Sequence, residues 1–381
     1  MLIQEIPQEL LSPPKSQNDL SIIVGENGAG KSTLLSELST QFLNRGKDVI
    51  AIANTIHDKF DVNHINFKKL RGRSGRRMSR ITIKKALENV AESENIKFKN
   101  AARALEYVNF EKVIGLKLDN FVSNFDSILT QSFFDEMARS EIISLLYKVN
   151  TESKAEEIIW LSLEEFNFYD FERVSLLKLL FWEKALKSLK VISRIEIFLR
   201  KKGQVVSMLE ASSGEITLIT SIIYIATAIT DNTVILIDEP ENSLHPKWQK
   251  EYAKTILDLF YLYQPKIIIA THSPIIVNGA ELFVKDSNIY KGVGFKFILQ
   301  SNEPLNVEEL LFSFFDINTP QSHYLSERLV RLVNLVANNK LSIDLFDKEI
   351  ERLIQYSYDP KQIQVLNSMK ALASDISTQS N

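Results

Sequence analysis

The sequence predicts an α/β fold, a mostly parallel sheet flanked by helices, with an inserted helical region and a helical C-terminus. Two observations carry this. Short runs at Leu20–Val24, Val49–Ala53, Thr233–Ile237 and Lys266–Ala270 are almost wholly apolar, the mark of buried strands. Between the first two runs, Leu34, Leu35, Leu38 and Phe42 repeat at helical spacing. The resulting order of strand, loop, helix and strand is that of a parallel α/β layer.

Taken in order, residues 1–19 are polar and include Pro13 and Pro14, so they read as a leader with one short strand. Leu20–Val24 (LSIIV) runs into a glycine-rich turn, a helix is expected over Ser32–Asn44, and Val49–Ala53 is the second strand. Residues 62–87 contain no acidic residue. Lys68, Lys69, Arg71, Arg73, Arg76, Arg77 and Arg80 put seven positive charges into 13 positions. Residues 84–190 are mostly helical in character and nearly free of Gly and Pro. Within them Phe166, Phe168, Tyr169 and Phe171 read as a packing cluster. Ile195–Phe198 and Gln204–Met208 look like strands about a turn at Lys201–Gly203. Helices are expected over Glu215–Ala228 and 247–262, and again beyond about residue 305, with a polar, frayed end over the last ten residues. The division that follows is a core of 1–83 and 191–300, an inserted helical subdomain of 84–190, and a helical C-terminal region of 301–381.

Composition narrows the chemistry. The 381 residues are 45% hydrophobic and 24% charged, which is globular and not disordered. Lys and Arg total 45 against 48 Asp and Glu, a formal net charge of −3, so whole-chain attraction to nucleic acid or anionic lipid is not predicted. The absence of cysteine excludes disulfides, thiolate metal sites and cysteine nucleophiles. The N-terminus MLIQEIPQELLSPPK has no signal-peptide pattern. The longest uncharged apolar run, Ile216–Thr230, falls short of the roughly 20 residues a membrane span needs. A soluble cytoplasmic protein is expected.

Four motifs carry chemistry. GENGAGKST (Gly25–Thr33) fits the phosphate-loop pattern G-x-x-x-x-G-K-[ST]. Asn27, Gly28, Ala29 and Gly30 would turn their N–H groups onto phosphate oxygens at the start of a helix. Lys31 would hold the β- and γ-phosphates, Ser32 would ligate Mg²⁺, and Thr33 completes the loop. VILIDEP (Val234–Pro240) is a buried strand that delivers Asp238 and Glu239 at its carboxyl end, where ligands bind in open α/β sheets. Alone, such a pair reads as a helix cap. Beside a phosphate loop, Asp238 reads as a second Mg²⁺ ligand and Glu239 as the base that orients water.

ASSGE (Ala211–Glu215) offers Ser212 and Ser213 as helix caps, with Gly214 permitting close approach. IIIATHSP (Ile267–Pro274) ends a strand with His272, placed to donate to a γ-phosphate or to bridge to Glu239.

Together the four resemble the ATP-binding-cassette class of P-loop NTPases, and within it the soluble branch of SMC, RecF and OLD-like ATPases. The resemblance covers about residues 18–60 and 195–280. It implies an ABC-type head, ATP and Mg²⁺ as ligands, and a head-to-tail homodimer sandwiching two ATP molecules. Ser212, Ser213 and Gly214 of one subunit would contact the γ-phosphate held by the other. Asn242 and Ser243 would lie at the dimer interface, and His272 would be the switch histidine. Ala211 stands where leucine is usual, and Asn54 is a weak substitute for the usual glutamine after the second strand.

OLD-like nucleases carry a second, carboxylate-rich domain. After His272 no D-x-D and no apolar strand leading into paired acids occurs. The five histidines, His57, His64, His245, His272 and His323, are dispersed. No nuclease site is therefore expected on this chain. Its size and helical C-terminus are similar to the ATPase partner of an HNH nuclease in two-gene anti-phage modules, such as the PtuA-like subunit of Septu and certain retron systems. The reading is an ATPase that regulates or scaffolds a nuclease effector. Two rivals stay open: a RecF-like clamp binding DNA through Lys68–Arg80, and a scaffold that keeps nucleotide as a structural ligand.

Overall fold

A strand that is apolar on both faces must be covered twice, and the main sheet here is sandwiched in that way. The computed structural model describes residues 3, 5–13, 19–55, 59–71, 81–84, 87, 95–132, 134–152, 157–163, 171–208, 210–242, 244–284, 287–300, 307–315, 323–338, 340–355 and 360–379. The chain opens with a single helical turn, α1 (Gln8–Leu11), in place of the expected short strand. Leu10 and Leu11 are buried there and hold it to the body. Then come β1 (Leu20–Val24), α2 (Lys31–Asn44), β2 (Asp48–Ala53) and β3 (Phe67–Arg71).

Residues 84–190 contain α3 (Asn95–Tyr107), β4 (Val113–Asp119), α4 (Phe125–Thr130), α5 (Glu136–Glu152), β5 (Ile159–Ser162) and α6 (Phe171–Ser188). Next are β6 (Arg194–Lys201), β7 (Gln204–Ser207), α7 (Ser213–Ala228), β8 (Thr233–Asp238) and α8 (Pro246–Phe260). They are followed by β9 (Lys266–Thr271), α9 (Pro274–Phe283), β10 (Asn288–Val293) and β11 (Lys296–Leu299). The end of the chain is α10 (Val307–Phe315), α11 (His323–Ala337), α12 (Ile343–Gln355) and α13 (Pro360–Gln379).

The fold is α/β with a mostly parallel sheet. Seven strands run in the order β11-β10-β1-β9-β8-β2-β3, and only the β10–β11 pair is antiparallel. Alternation assigns each residue to a face. Ile22, Val24, Ile50, Ile52, Ile235, Ile237, Ile267 and Ile269 join one core with α7, α8 and α9. Ile23, Val49, Ala51, Val234, Leu236, Ile268 and Ala270 join the other with α1 and α2. A buried ion pair, Lys266 Nζ to Asp19 Oδ2 at 2.9 Å, fixes the start of β9 against β1. A smaller antiparallel sheet, β5-β4-β6-β7, ties residues 113–162 to the strand that leads into α7. The C-terminal helices α11–α13 form a third core around Phe346, Ile350 and Leu353.

One further expectation differs from what is seen, and several fall outside the described residues. Residues 84–190 hold two strands besides their helices, β4 and β5, which pair with residues distant in sequence. The last ten residues do not begin as a frayed tail, because α13 continues to Gln379 and buries Ala373. Phe166, Phe168 and Tyr169 lie outside the described residues, as do Arg73, Arg76, Arg77, Arg80 and Ser243. Among the described residues no helix is long and apolar enough to cross a membrane.

Gly279 marks the tightest crossing. A Cβ there would lie 1.9 Å from the backbone oxygen of Lys250, so α9 meets α8 at a point where only glycine fits. Gly279→Ala is expected to destabilise the fold by about 1–3 kcal/mol through overpacking. Thermal unfolding of the two proteins checks this, and an unchanged midpoint would show that α8 and α9 separate without cost.

Candidate functional site

The glycine loop follows β1 directly. Gly28 and Gly30 take φ of 89° and 95°, a region disfavoured for residues with a Cβ. Glu26, Asn27 and Gly28 are exposed, Ala29, Gly30 and Lys31 are buried, and Ser32 and Thr33 are half-buried at the first turn of α2. The Lys31 ammonium folds back onto its own loop, donating to the carbonyls of Gly25 at 2.7 Å and Glu26 at 3.1 Å. Burial holds its pKa below the ordinary lysine value, opposed by the charges of Glu239, Asp238 and Glu241. The side chain is thus poised beside three carboxylates without an ion pair of its own to any of them.

Two strands away, β8 ends in Asp238, which is fully buried. Burial pushes its carboxyl up to about 6, reinforced by Glu239, while the Ser32 hydroxyl facing it and Lys31 act in the opposite sense. Neither Asp238 oxygen completes a hydrogen bond of proper geometry. A bare, desolvated carboxylate facing a serine hydroxyl suits a hard cation that takes its other ligands from phosphate and water. Among the described residues no cluster of three His, Asp or Glu could hold a metal alone, so such a cation would need the phosphates.

Glu239 sits at φ 51°, a strained setting for a side chain of its size. Its N–H donates to the Ala270 carbonyl at 2.8 Å, and the Asn242 amide donates to its Oε2 at 3.2 Å. His272 follows β9, the strand between β1 and β8. Its Nδ1 is 3.7 Å from Glu239 Oε1 and 3.0 Å from Glu241 Oε1. Lys31, Ser32, Asp238, Glu239 and His272 therefore converge at the carboxyl ends of three adjacent strands.

Glu241 is the residue that sequence reasoning missed. Its Oε1 accepts the His272 backbone N–H at 2.7 Å, and its side chain is only 5% exposed. Its other oxygen and the Tyr252 hydroxyl are both buried without a partner. Burial and the Glu241 charge raise the Tyr252 pKa. The signal was the third acid of DEPEN, which reads as an ordinary loop carboxylate until the fold seals it under His272.

The serine motif lies elsewhere. Ser212 caps α7 and forms a capping box with Glu215, and Lys201 Nζ meets Glu215 Oε1 at 2.5 Å. Burial raises the Glu215 pKa, but the bonds from Lys201 and Ser212 more than reverse it, leaving it below the ordinary value. Ser212 and Ser213 are exposed, Gly214 and Ala211 buried. α7 covers the face of the sheet opposite α2, so the structure does not bring these serines to the glycine loop of the same chain. Asn54 donates its N–H to the Asp238 carbonyl at 3.2 Å, which puts it at the edge of the acidic cluster. In the basic stretch, Lys68 donates to the Ala228 carbonyl at 3.0 Å and Lys69 to that of Phe60.

With this geometry in view, comparison with known proteins assigns the family. The sequence model of "AAA domain, putative AbiEii toxin, Type IV TA system" matches residues 81–278, more than half of the chain. The chain belongs to this AAA family. The match takes in the serine motif, the acidic strand and His272, and begins after the glycine loop. The chain is also 26% identical to the "Retron Vc95 probable ATPase" of Vibrio cholerae serotype O1 biovar El Tor, covering 84% of this chain and 78% of that one. It is 30% identical to "Protein ea59" of Escherichia phage lambda over 100 residues, which span 26% of this chain and 17% of the phage protein.

Because burial raises the Asp238 pKa, its proton stabilises the folded state. That stabilisation is complete below about pH 4 and is lost as the pH rises through about 6. Asp238→Asn removes the titration. Ligand-free Asp238→Asn should melt above wild type at neutral pH, with the gap closing towards pH 4. Melting curves from pH 4 to 8 test this, and a gap independent of pH would refute the assignment of strain to this carboxylate.

Proposed function

We propose that this AAA-family chain is a Mg²⁺-dependent ATPase that works as a head-to-tail ATP-sandwich dimer and regulates or scaffolds a partner nuclease in anti-phage defence. The convergence of Lys31, Ser32, Asp238, Glu239 and His272 at the ends of β1, β8 and β9 carries the reading. In it, backbone N–H groups of Asn27–Thr33 hold the phosphates and Lys31 leaves the Gly25 and Glu26 carbonyls to neutralise them. Ser32 and Asp238 are the residues that would hold Mg²⁺, whose charge assists at the β–γ bridge when bound. Glu239 accepts a proton as water attacks the γ-phosphorus in line and the bond to the β-phosphate oxygen breaks. His272 lies within reach of Glu239 to orient that water or donate to the γ-phosphate, and Glu241 fixes the histidine from behind.

The dimer is supported by the placement of Ser212, Ser213 and Gly214. They head a helix whose first residues Ser212 and Ser213 are exposed, on the opposite face of the sheet from the loop that would need them. The defence setting is supported by similarity to a retron ATPase. Cleavage is assigned to a separate HNH-type polypeptide and the site of action to the cytoplasm. Residues 1–83 and 191–300 form the ATPase core in this reading, with 84–190 inserted and 301–381 appended. The sheet of β4–β7 crosses the boundary at 190/191 and joins the insertion to the strands that precede α7.

Lys31→Ala is expected to abolish ATP binding, while Glu239→Gln keeps binding, lowers phosphate release at least a hundredfold, and accumulates dimer. Phosphate release and gel filtration with and without ATP read both effects. Unchanged turnover and elution for Glu239→Gln would falsify the assignment.

Glu241→Ala should lower kcat about tenfold with little change in KM, since its contact is to His272 and not to the phosphate loop. Glu241→Gln, which retains an oxygen for the His272 N–H, should recover most of it. Steady-state kinetics of the pair decide the matter, and equal losses in both variants would count against a positioning role.

A further inference from the structure

The strand order splits the surroundings of the glycine loop into two sides. β9 and β8 lie to one side of β1 and carry His272, Asp238 and Glu239 at their ends. β10 and β11 lie to the other side. A triphosphate seated on the loop with its γ-phosphate towards the acids must therefore lead its sugar and base away from β8 and β9, towards β10.

β10 and β11 are joined by the two-residue turn Gly294–Phe295, with φ of 55° and 66°. Two positive φ angles match the hairpin turn favoured by strand twist, but the second position normally takes glycine. A bulky aromatic residue there is an outlier, and outliers of this kind persist where the surroundings hold them. Two contacts hold Phe295. Its N–H donates to the carbonyl of Ala29, inside the glycine loop, at 3.2 Å. Its ring occupies the space that a side chain on Gly30 would need, since a Cβ there would lie 2.7 Å from Phe295 Cδ1. The ring is only half-buried, so part of it packs on the loop and part stays open beside it.

We propose that Phe295 is the base-stacking residue of the nucleotide site, with its ring taking the heterocycle of the nucleoside triphosphate whose phosphates lie on Gly25–Thr33. The assignment rests on the phosphate-loop reading of the preceding subsection and adds to it the ligand's other end. Phenylalanine has no hydrogen-bonding group, so the contact is a stack and not a readout of base edges. It favours a large purine surface over a pyrimidine and leaves adenine and guanine undistinguished. The Ala29 hydrogen bond also couples the turn to the loop, so the same residue that meets the base would sense the loop's shape.

The test separates stacking from propping. Phe295→Leu keeps apolar bulk against Gly30 but removes the π face, and Phe295→Trp keeps the face. Isothermal titration of wild type and both variants is run with a non-hydrolysable ATP analogue and with inorganic tripolyphosphate, each with Mg²⁺. Phe295→Leu should weaken the ATP analogue about tenfold and leave tripolyphosphate unchanged, while Phe295→Trp binds both as wild type does. Phe295→Gly, which adopts the turn without strain, should show the same split if Leu unsettles the hairpin. Equal losses for both ligands would overturn the proposal and make Phe295 a prop for the loop, and no loss for either would overturn it outright. Wild type that binds neither ligand would sink the phosphate-loop reading itself, together with the stack that depends on it.

Discussion

A carboxylate with two unsatisfied oxygens, sealed at the end of an all-apolar strand, is the constraint around which the rest is arranged. Asp238 is held there by register. β2 pairs Ala53 with it on one side and β9 pairs Ala270 with it on the other, so the chain cannot slip to expose it. Desolvation of that group is costly without a compensating partner. The loop answers with Lys31, which is buried nearby and whose own pKa burial lowers. Each charge is expensive alone, and they are not joined in an ion pair, because the lysine is bonded to carbonyls of its own loop. An arrangement that leaves opposite charges apart at close quarters is ready for a ligand that carries both signs, such as a metal–phosphate complex.

The same economy explains which parts of the molecule were legible in the sequence. The main strands and the motifs at their ends could be read because they are local. A run such as Thr233–Ile237 declares its burial on both faces, and GENGAGKST declares a strand–loop–helix turn. Several of the strands that escaped are partly exposed and carry charge. FKKLR of β3 and KFIL of β11 are edge strands, and VIGLKLD of β4 finds its partner β6 about eighty positions later. No local pattern encodes such pairing. Glu241 escaped for a related reason, since its role follows from where β9 brings His272 and not from its neighbours. Phe295 escaped because an aromatic at a tight turn contradicts turn chemistry, and only the loop packed against it supplies the reason.

Helix coverage sets a further condition on the serine motif. The alternation along β1, β2, β8 and β9 commits α2 to one face and α7 to the other. The positive end of α7 is not empty in the single chain. Glu215 already places a carboxylate there, closing the capping box with Ser212, and Lys201 neutralises it. A phosphate arriving from a second subunit would compete with Glu215 for the Ser212 N–H and would be repelled by it. Lys201 holds Glu215 from the β6 side, so the carboxylate has a cationic partner besides the helix end. Lys201 ends β6, whose partner β4 belongs to the insertion. Lys201 itself lies past that pairing, opposite Gln204 of β7.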